Sequence, residues 1–185
     1  MPRRLLAKVV PGLLAALAGC DGWEAEPPVR LPPGMVEGAG DPRRWALAQA
    51  VDRLLDRPES LAGRPAEAAL AAGLVEYLAT AFQDGRYPDG RHVTRLLRDG
   101  RAALRSAIGL RTEPALQESA DGLFAAAGRH AGAATPLAAL VPLALPGSDP
   151  WAALAMLGLP SGVPRPLQRA LRAARDMVGA ETFTR

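Results

Sequence analysis

The amino-acid sequence predicts an all-α protein, and three observations carry this prediction. Ala and Leu are the commonest residues, with 38 and 28 copies in a chain of 185, and both favour helices. Val occurs ten times and Ile once, so β-branched residues are too scarce for an extensive sheet. Apolar residues recur at helical spacing in several segments. We therefore expect a compact bundle of about five to seven helices over residues 41–185, after a leader segment and a linker.

Local signals place four helices in the first two thirds of this domain. The first begins at Asp41, whose carboxylate is a typical helix cap, and the second begins at Pro65. The third starts around Asp89, after a loop rich in turn-forming residues, and the fourth is capped by Thr112. Each is followed by an apolar stripe with a period of 3.6 residues, so each has one face to bury.

Residues 131–164 are almost uncharged, with Asp149 as the one ionisable side chain. Prolines divide this segment into two short apolar helices, predicted at 137–145 and 151–159, and nine residues are too few to cross a bilayer. Two interpretations stay open: a hairpin buried as core, or an apolar surface that docks onto a partner or holds a lipid. A last helix is predicted at 166–180.

The first twenty residues have the layout of a secretory signal. Positive charges at Arg3, Arg4 and Lys8 precede an apolar stretch at residues 9–17 and then small residues. The stretch Leu-Ala-Gly-Cys that ends at Cys20 resembles the lipobox of bacterial lipoproteins. That resemblance implies cleavage between Gly19 and Cys20, with removal of residues 1–19, and a diacylglycerol on the Cys20 thiol.

The same leader indicates a cellular location. A lipid on Cys20 implies an anchor in a bacterial cell membrane, with the protein facing the periplasm. Asp21 is similar to the inner-membrane retention residue of enterobacterial lipoproteins, which favours the inner over the outer membrane. Arg3 and Arg4 also resemble a twin-arginine export signal, so the Sec and twin-arginine routes both stay open. Residues 20–40 are rich in Pro and Gly, which predicts a flexible linker with a reach of about 60 Å.

The charge balance argues against nucleic acid as a partner. The whole chain carries a formal charge of +3, but the leader holds three basic residues and no acidic ones. The mature protein would therefore be neutral, with no excess of positive charge to bind phosphates. The expected partners are the membrane, through the anchor, and an envelope protein or lipid.

The third predicted helix carries a row of arginines that suits an anionic partner. An anionic lipid, or a protein surface rich in carboxylates, would pair with these guanidinium groups. A solvated helix face would have the same composition. The row consists of Arg91, Arg95, Arg98, Arg101 and Arg105.

Residues suited to catalysis are few. The sequence has no nucleophile motif and no phosphate-binding glycine loop, and its single cysteine is assigned to lipidation. The acids and bases that we would test for an enzyme are Asp84, Asp89, His92 and Glu76. No metal site is predicted, because no pair of histidines has ligand spacing. No cofactor is expected apart from the covalent lipid on Cys20.

We therefore expect a membrane-anchored periplasmic lipoprotein whose helical domain is a non-enzymatic binding or scaffolding module of the cell envelope. The alternative is a hydrolase-like envelope enzyme that acts on cell-wall or lipid substrates. An enzyme should bring His92 and at least two carboxylates into one concave pocket. A binding module should instead expose an apolar surface or an arginine-lined groove.

Overall fold

A computed structural model of the chain describes residues 24–128 and 135–182. Within these ranges the protein is a bundle of seven α-helices without a strand, so the predicted all-α class is confirmed. The helices are α1 (Pro42–Val51), α2 (Pro65–Ala81), α3 (Gly90–Ala107), α4 (Leu116–Ala126), α5 (Pro136–Leu140), α6 (Pro150–Met156) and α7 (Arg165–Thr182). In this part of the chain, no helix combines the length and the apolar character needed to cross a membrane.

The helix starts follow from capping residues that the sequence displays. The Asp41 carboxylate accepts a hydrogen bond from the Arg43 backbone N–H at 2.9 Å, and Pro42 occupies the first position of α1. The Asp149 carboxylate caps α6 in the same way and accepts from the Ala152 N–H at 3.0 Å. Each cap satisfies a backbone donor that has no partner inside its own helix.

Helix α4 begins at Leu116, one turn later than its predicted cap at Thr112. The residues before it are irregular, with bends at Thr112 and Pro114, and Leu110 forms an isolated antiparallel bridge with Ala144. Pro114 adds to this effect, since the residue that precedes a proline disfavours helical geometry. The predicted N-cap was therefore wrong, although the helix itself is present.

The two short apolar helices are shorter than the sequence predicted. Helix α5 ends at Leu140 and passes into a 3-10 turn at Val141–Leu143, and α6 ends at Met156. Proline breaks the pattern of backbone donors in this segment. Gly122 on α4 allows the close approach of α5, because a Cβ atom there would lie 3.1 Å from the Ala139 carbonyl oxygen.

Helix α2 forms the centre of the bundle. Twelve of its seventeen residues are buried, and it contacts α1, α3, α4 and α6. Its Gly73 lies so close to α4 that a Cβ would come within 2.7 Å of the Phe124 ring. Helix α7 closes the bundle against α3, where Gly100 faces Leu167, and this pair has the most extensive contact between helices.

Part of the segment that the sequence assigns to a flexible linker contacts the bundle. Residues 24–31, which we call the strap, lie against the bundle, and Val29 is 4% exposed. The sequence suggested a free tether because proline and glycine dominate its composition. Composition does not show that the apolar side chain of Val29 has a site to fill, nor that side chains of the bundle bind the strap's backbone.

Candidate functional site

A chain of alternating charges connects α2, α3 and the strap. Arg105 on α3 donates two hydrogen bonds to the Glu76 carboxylate on α2, at 2.6 and 2.8 Å. Arg101, one turn earlier on α3, donates two hydrogen bonds of 2.8 Å to Glu26 of the strap. The Arg101 Nε also lies 3.9 Å from Glu76, and the Arg98 Nε lies 3.3 Å from Glu26. These five side chains form one network, which we call the charge network.

The inner end of the charge network is almost completely buried. Glu76 is 2% exposed and Arg105 is 3% exposed. Arg105 also donates to the Thr112 backbone carbonyl at 3.2 Å. Buried charges persist in proteins when they are paired and hydrogen-bonded. Glu76 is therefore occupied in holding α2 against α3.

The predicted arginine row is divided by the structure. Arg91 and Arg95 are exposed, and no ion pair or hydrogen bond of their side chains is found within the described residues. Arg98, Arg101 and Arg105 instead face the strap and α2. The expectation of one outward row of five is thus corrected. Spacings of three and four residues place all five on one side of α3. The strap and α2 cover only the later turns of that side, so the last three arginines have partners there and the first two stay exposed.

The strap is bound to the bundle through its backbone as well as its carboxylate. The backbone N–H of Glu26 donates to the Gln83 Oε1 at 2.8 Å, and that of Val29 donates to the Thr80 Oγ1 at 3.0 Å. The backbone N–H of Arg30 donates to the Gln117 side chain of α4 at 2.8 Å. Two further bonds return from the bundle to strap carbonyl groups.

Asp84, one of the residues chosen for catalysis, is part of an ion pair at the bundle surface. Arg43 of α1 donates to its two carboxylate oxygens at 3.0 and 2.6 Å. This bidentate contact lowers the pKa of Asp84 from its usual value and raises the pKa of Arg43. Burial raises the pKa of the neighbouring Tyr77 hydroxyl. Asp84 is thus held ionised, which suits an electrostatic contact better than a general acid.

The other catalytic candidates do not join Asp84 in one site. Asp89 and His92 are exposed at the start of α3, and the Asp89 side chain makes no capping hydrogen bond. Glu76 is bound to Arg105, which lies thirteen residues beyond His92, or about 20 Å along the helix. The geometry predicted for an enzyme is therefore not assembled from these residues. Within the described ranges, no group of three or more His, Cys, Asp or Glu side chains is placed to hold a metal ion.

The nearly uncharged segment is partly core and partly surface. Leu140, Leu143, Leu154 and Leu157 are buried. The large apolar side chains that are exposed in the described part of the chain all lie in this one segment, and α5 and α6 touch one another. These exposed apolar residues are Leu137 (51% exposed), Val141 (65%), Leu145 (42%), Met156 (56%) and Leu159 (41%). Buried and exposed apolar side chains thus alternate along the segment, so part of it is core and part is left available for a partner.

Two surface clefts lie away from this segment. One has a volume of about 380 Å³ and lies between α1 and α7, with apolar walls that include Leu47, Val51 and Val178. The other has a volume of about 400 Å³ and is lined by Trp45 and Met35 among others. Neither is lined by a catalytic candidate. A third cleft, of about 400 Å³ beside the strap, is lined by Asp84 together with Glu26 and Tyr77, but the other catalytic candidates are not part of it.

The predicted processing site lies outside the described residues. This applies to Gly19 and Cys20, and to Asp21, which favoured the inner membrane. The anchor therefore stays a prediction from the sequence.

Comparisons with known proteins do not assign a family to this chain. No family model, no curated protein and no solved structure matches it. Its function is therefore argued from its own residues.

The sequence did not predict that the strap binds to the bundle. Glu26 was not singled out, although it is an acid in a proline-rich segment of a chain whose third helix is rich in arginine. Glu76, a catalytic candidate from the sequence, lies in a buried ion pair with Arg105. Its position in the apolar middle of α2 was the available signal, because a lone carboxylate in such a helix needs a cationic partner when the helix is buried on all sides.

Proposed function

We propose that this chain is a lipid-anchored lipoprotein of the bacterial cell envelope, facing the periplasm, whose helical domain is a non-enzymatic binding or scaffolding module. The anchor is supported by the lipobox-like stretch that ends at Cys20, the only cysteine in the chain. Asp21 supports the inner membrane as its location. The covalent lipid is the only group that we expect the protein to carry.

The observation that carries the binding role is the set of exposed apolar residues on and beside α5 and α6. Val141 and Met156 each leave more than half of their surface in water. Single exposed apolar side chains are common on protein surfaces, but several in one segment favour an interaction site, because complete burial of each would contribute about 1.5–3 kcal/mol. We propose that an envelope protein covers them.

An envelope enzyme is the weaker alternative. It would require acids and bases in one pocket, and the residues that suit this role are divided between a buried ion pair, a surface ion pair and the exposed start of α3. The exposed Arg91 and Arg95 offer a second contact, with an anionic surface, but α3 also exposes Asp89 and Asp99 beside them. The apolar residues therefore support the proposal best.

The anchor is tested by metabolic labelling with a clickable fatty acid in the native bacterium. Label should appear on the wild-type protein and be absent from a Cys20→Ala variant. Mass spectrometry of the mature protein should place its new N-terminus at Cys20. An unlabelled wild-type protein that retains Met1 would refute the anchor.

The binding role is tested by crosslinking in intact cells. A Val141→Asp/Met156→Asp variant should lose crosslinked products that the wild type forms, because two charges on the surface oppose apolar contact. An Arg91→Ala/Arg95→Ala variant is the matched control and should keep them. Loss in the control alone would reject the apolar surface in favour of α3.

A further inference from the structure

The strap is bound by side chains from three helices, which makes it part of the folded domain. Thr80 belongs to α2, Arg98 and Arg101 to α3, and Gln117 to α4. Arg98 donates to the backbone carbonyl of Glu24 at 3.1 Å, so the contacts extend to the first described residue. The docked length is therefore the whole strap and not a single anchoring point.

The contacts of the strap require its particular sequence. Glu26 is the residue that offers a carboxylate to both Arg98 and Arg101, with its side chain one quarter exposed. Val29 is the apolar residue that fills a site on α2. Proline at positions 27 and 28 favours the extended backbone, which lowers the entropy lost on docking.

Docking changes the length of chain available between the lipid and the bundle. Four residue steps separate Cys20 from Glu24, and they span at most about 14 Å. If the strap were free, the chain from Cys20 to the start of α1 would reach about 60 Å. The state of the strap therefore decides how far from the bilayer the bundle can move.

We propose that the strap is a latch that holds the bundle close to its membrane, with Glu26 on Arg98 and Arg101 as the ionic contact and Val29 as the apolar one. Release of the latch lengthens the tether several-fold without unfolding the helices. The inference rests on the proposed lipid anchor for its membrane end, whereas docking of the strap does not depend on the anchor.

Docking is tested by trypsin cleavage after Arg30 in the full-length protein bound to phospholipid vesicles. Cleavage there cuts the strap, so it releases the bundle into the supernatant, where mass spectrometry identifies the new N-terminus at Leu31. The wild type should resist. Glu26→Gln should be cleaved roughly ten- to a hundredfold faster, since a charge-assisted contact is lost.

The matched control is Glu37→Gln, which removes the same charge from an exposed residue that follows the strap. It should be cleaved at the wild-type rate. Val29→Asp breaks the apolar contact and should act like Glu26→Gln while it leaves the α3 arginines intact. Circular dichroism must show the wild-type helix content in each variant. Equal cleavage rates in all four proteins would overturn the latch.

The membrane distance is tested by energy transfer from a dye on Ser106→Cys, an exposed position on α3, to a labelled lipid. An acylated Cys20 leaves no competing thiol. Transfer should be high in the wild type and in Glu37→Gln, and lower in Glu26→Gln. Equal transfer in Glu26→Gln and the wild type would overturn the role in distance. A protein that does not bind vesicles would refute the anchor, and the cleavage rates in solution would still test docking.

Discussion

Glu76 has a side chain of the type that serves in catalysis, but in this protein it forms a structural ion pair with Arg105. A carboxylate in the middle of an apolar helix is either paired or neutral, because an isolated charge is unstable away from water. The pair with Arg105 provides two hydrogen bonds and joins α2 to α3. Its removal should therefore affect folding before it affects any activity.

We predict that Glu76→Gln lowers the free energy of unfolding by about 3–5 kcal/mol, because Arg105 keeps a buried charge without a counterion. Urea denaturation followed by circular dichroism measures this change. Glu67→Gln on the same helix is the control, since its pair with Arg53 is partly exposed and should contribute about 1 kcal/mol or less. Equal losses in the two variants would contradict a structural role for Glu76.

The ion pair of Asp84 with Arg43 should give a pH-dependent contribution. Because the folded pKa of Asp84 is lowered, the stabilisation is present above its ordinary pKa near 4 and is lost as the pH falls through the lower folded value. Asp84→Asn should thus be less stable than the wild type at pH 7, by about 1 kcal/mol or less for an exposed pair. The difference should shrink as the pH is lowered from 7 to 3. Thermal melts at both pH values measure the difference in stability. A difference of the same size in acid would show that it comes from packing and not from the ion pair.

At the scale of helices, the starts with local signals could be predicted and the others could not. Asp41 caps α1 through its own side chain, and the sequence locates that start. Asp149 caps α6 in the same way, although the sequence places the start of that helix at residue 151. The segment before α4 includes Leu110, which is bridged to Ala144, 34 positions away in the sequence. A contact of that separation leaves no local pattern at Thr112.

Contact between α3 and α7 depends on a glycine, and this can be tested. A Cβ at Gly100 would lie 2.9 Å from the Leu167 backbone, so Gly100→Ala should cost about 1–3 kcal/mol as the helices move apart. The control is Gly179→Ala on α7, where nothing lies within 4 Å of the new Cβ. That change should stabilise by about 0.5–1 kcal/mol through helix propensity. Chemical denaturation of both variants measures whether each change lowers or raises the free energy of unfolding. Stabilisation by Gly100→Ala would show that α3 and α7 leave room for a Cβ atom at this position.

At the scale of the whole molecule, the strap extends the folded unit towards the N-terminus. The sequence predicts a domain that starts at residue 41, whereas the contacts of the strap with the bundle begin at Glu24. Which apolar side chains are exposed can also be seen only in the whole molecule. One segment supplies both buried leucines and the exposed apolar residues, and its composition alone does not divide them.

We predict that a fragment of residues 24–185 is more stable than one of residues 41–185 by about 2–4 kcal/mol. Burial of Val29 and Pro32, the core contacts of Leu31 and Met35, and the ion pairs of Glu26 together account for this difference. Urea denaturation of the two fragments measures it. Equal stabilities of the two fragments would show that the folded domain begins at residue 41, as the sequence predicts.

The sequence by itself determined the helical class, the starts of the helices with their own caps, and the lipobox-like stretch, because each depends on neighbouring residues. Only the tertiary structure decided which arginines of α3 are exposed, what Glu76 binds and where the strap lies. These outcomes depend on side chains that are distant in the chain and meet only when the helices pack. A charged side chain that is buried between helices needs a partner of opposite charge, since an unpaired charge away from water is too costly to keep.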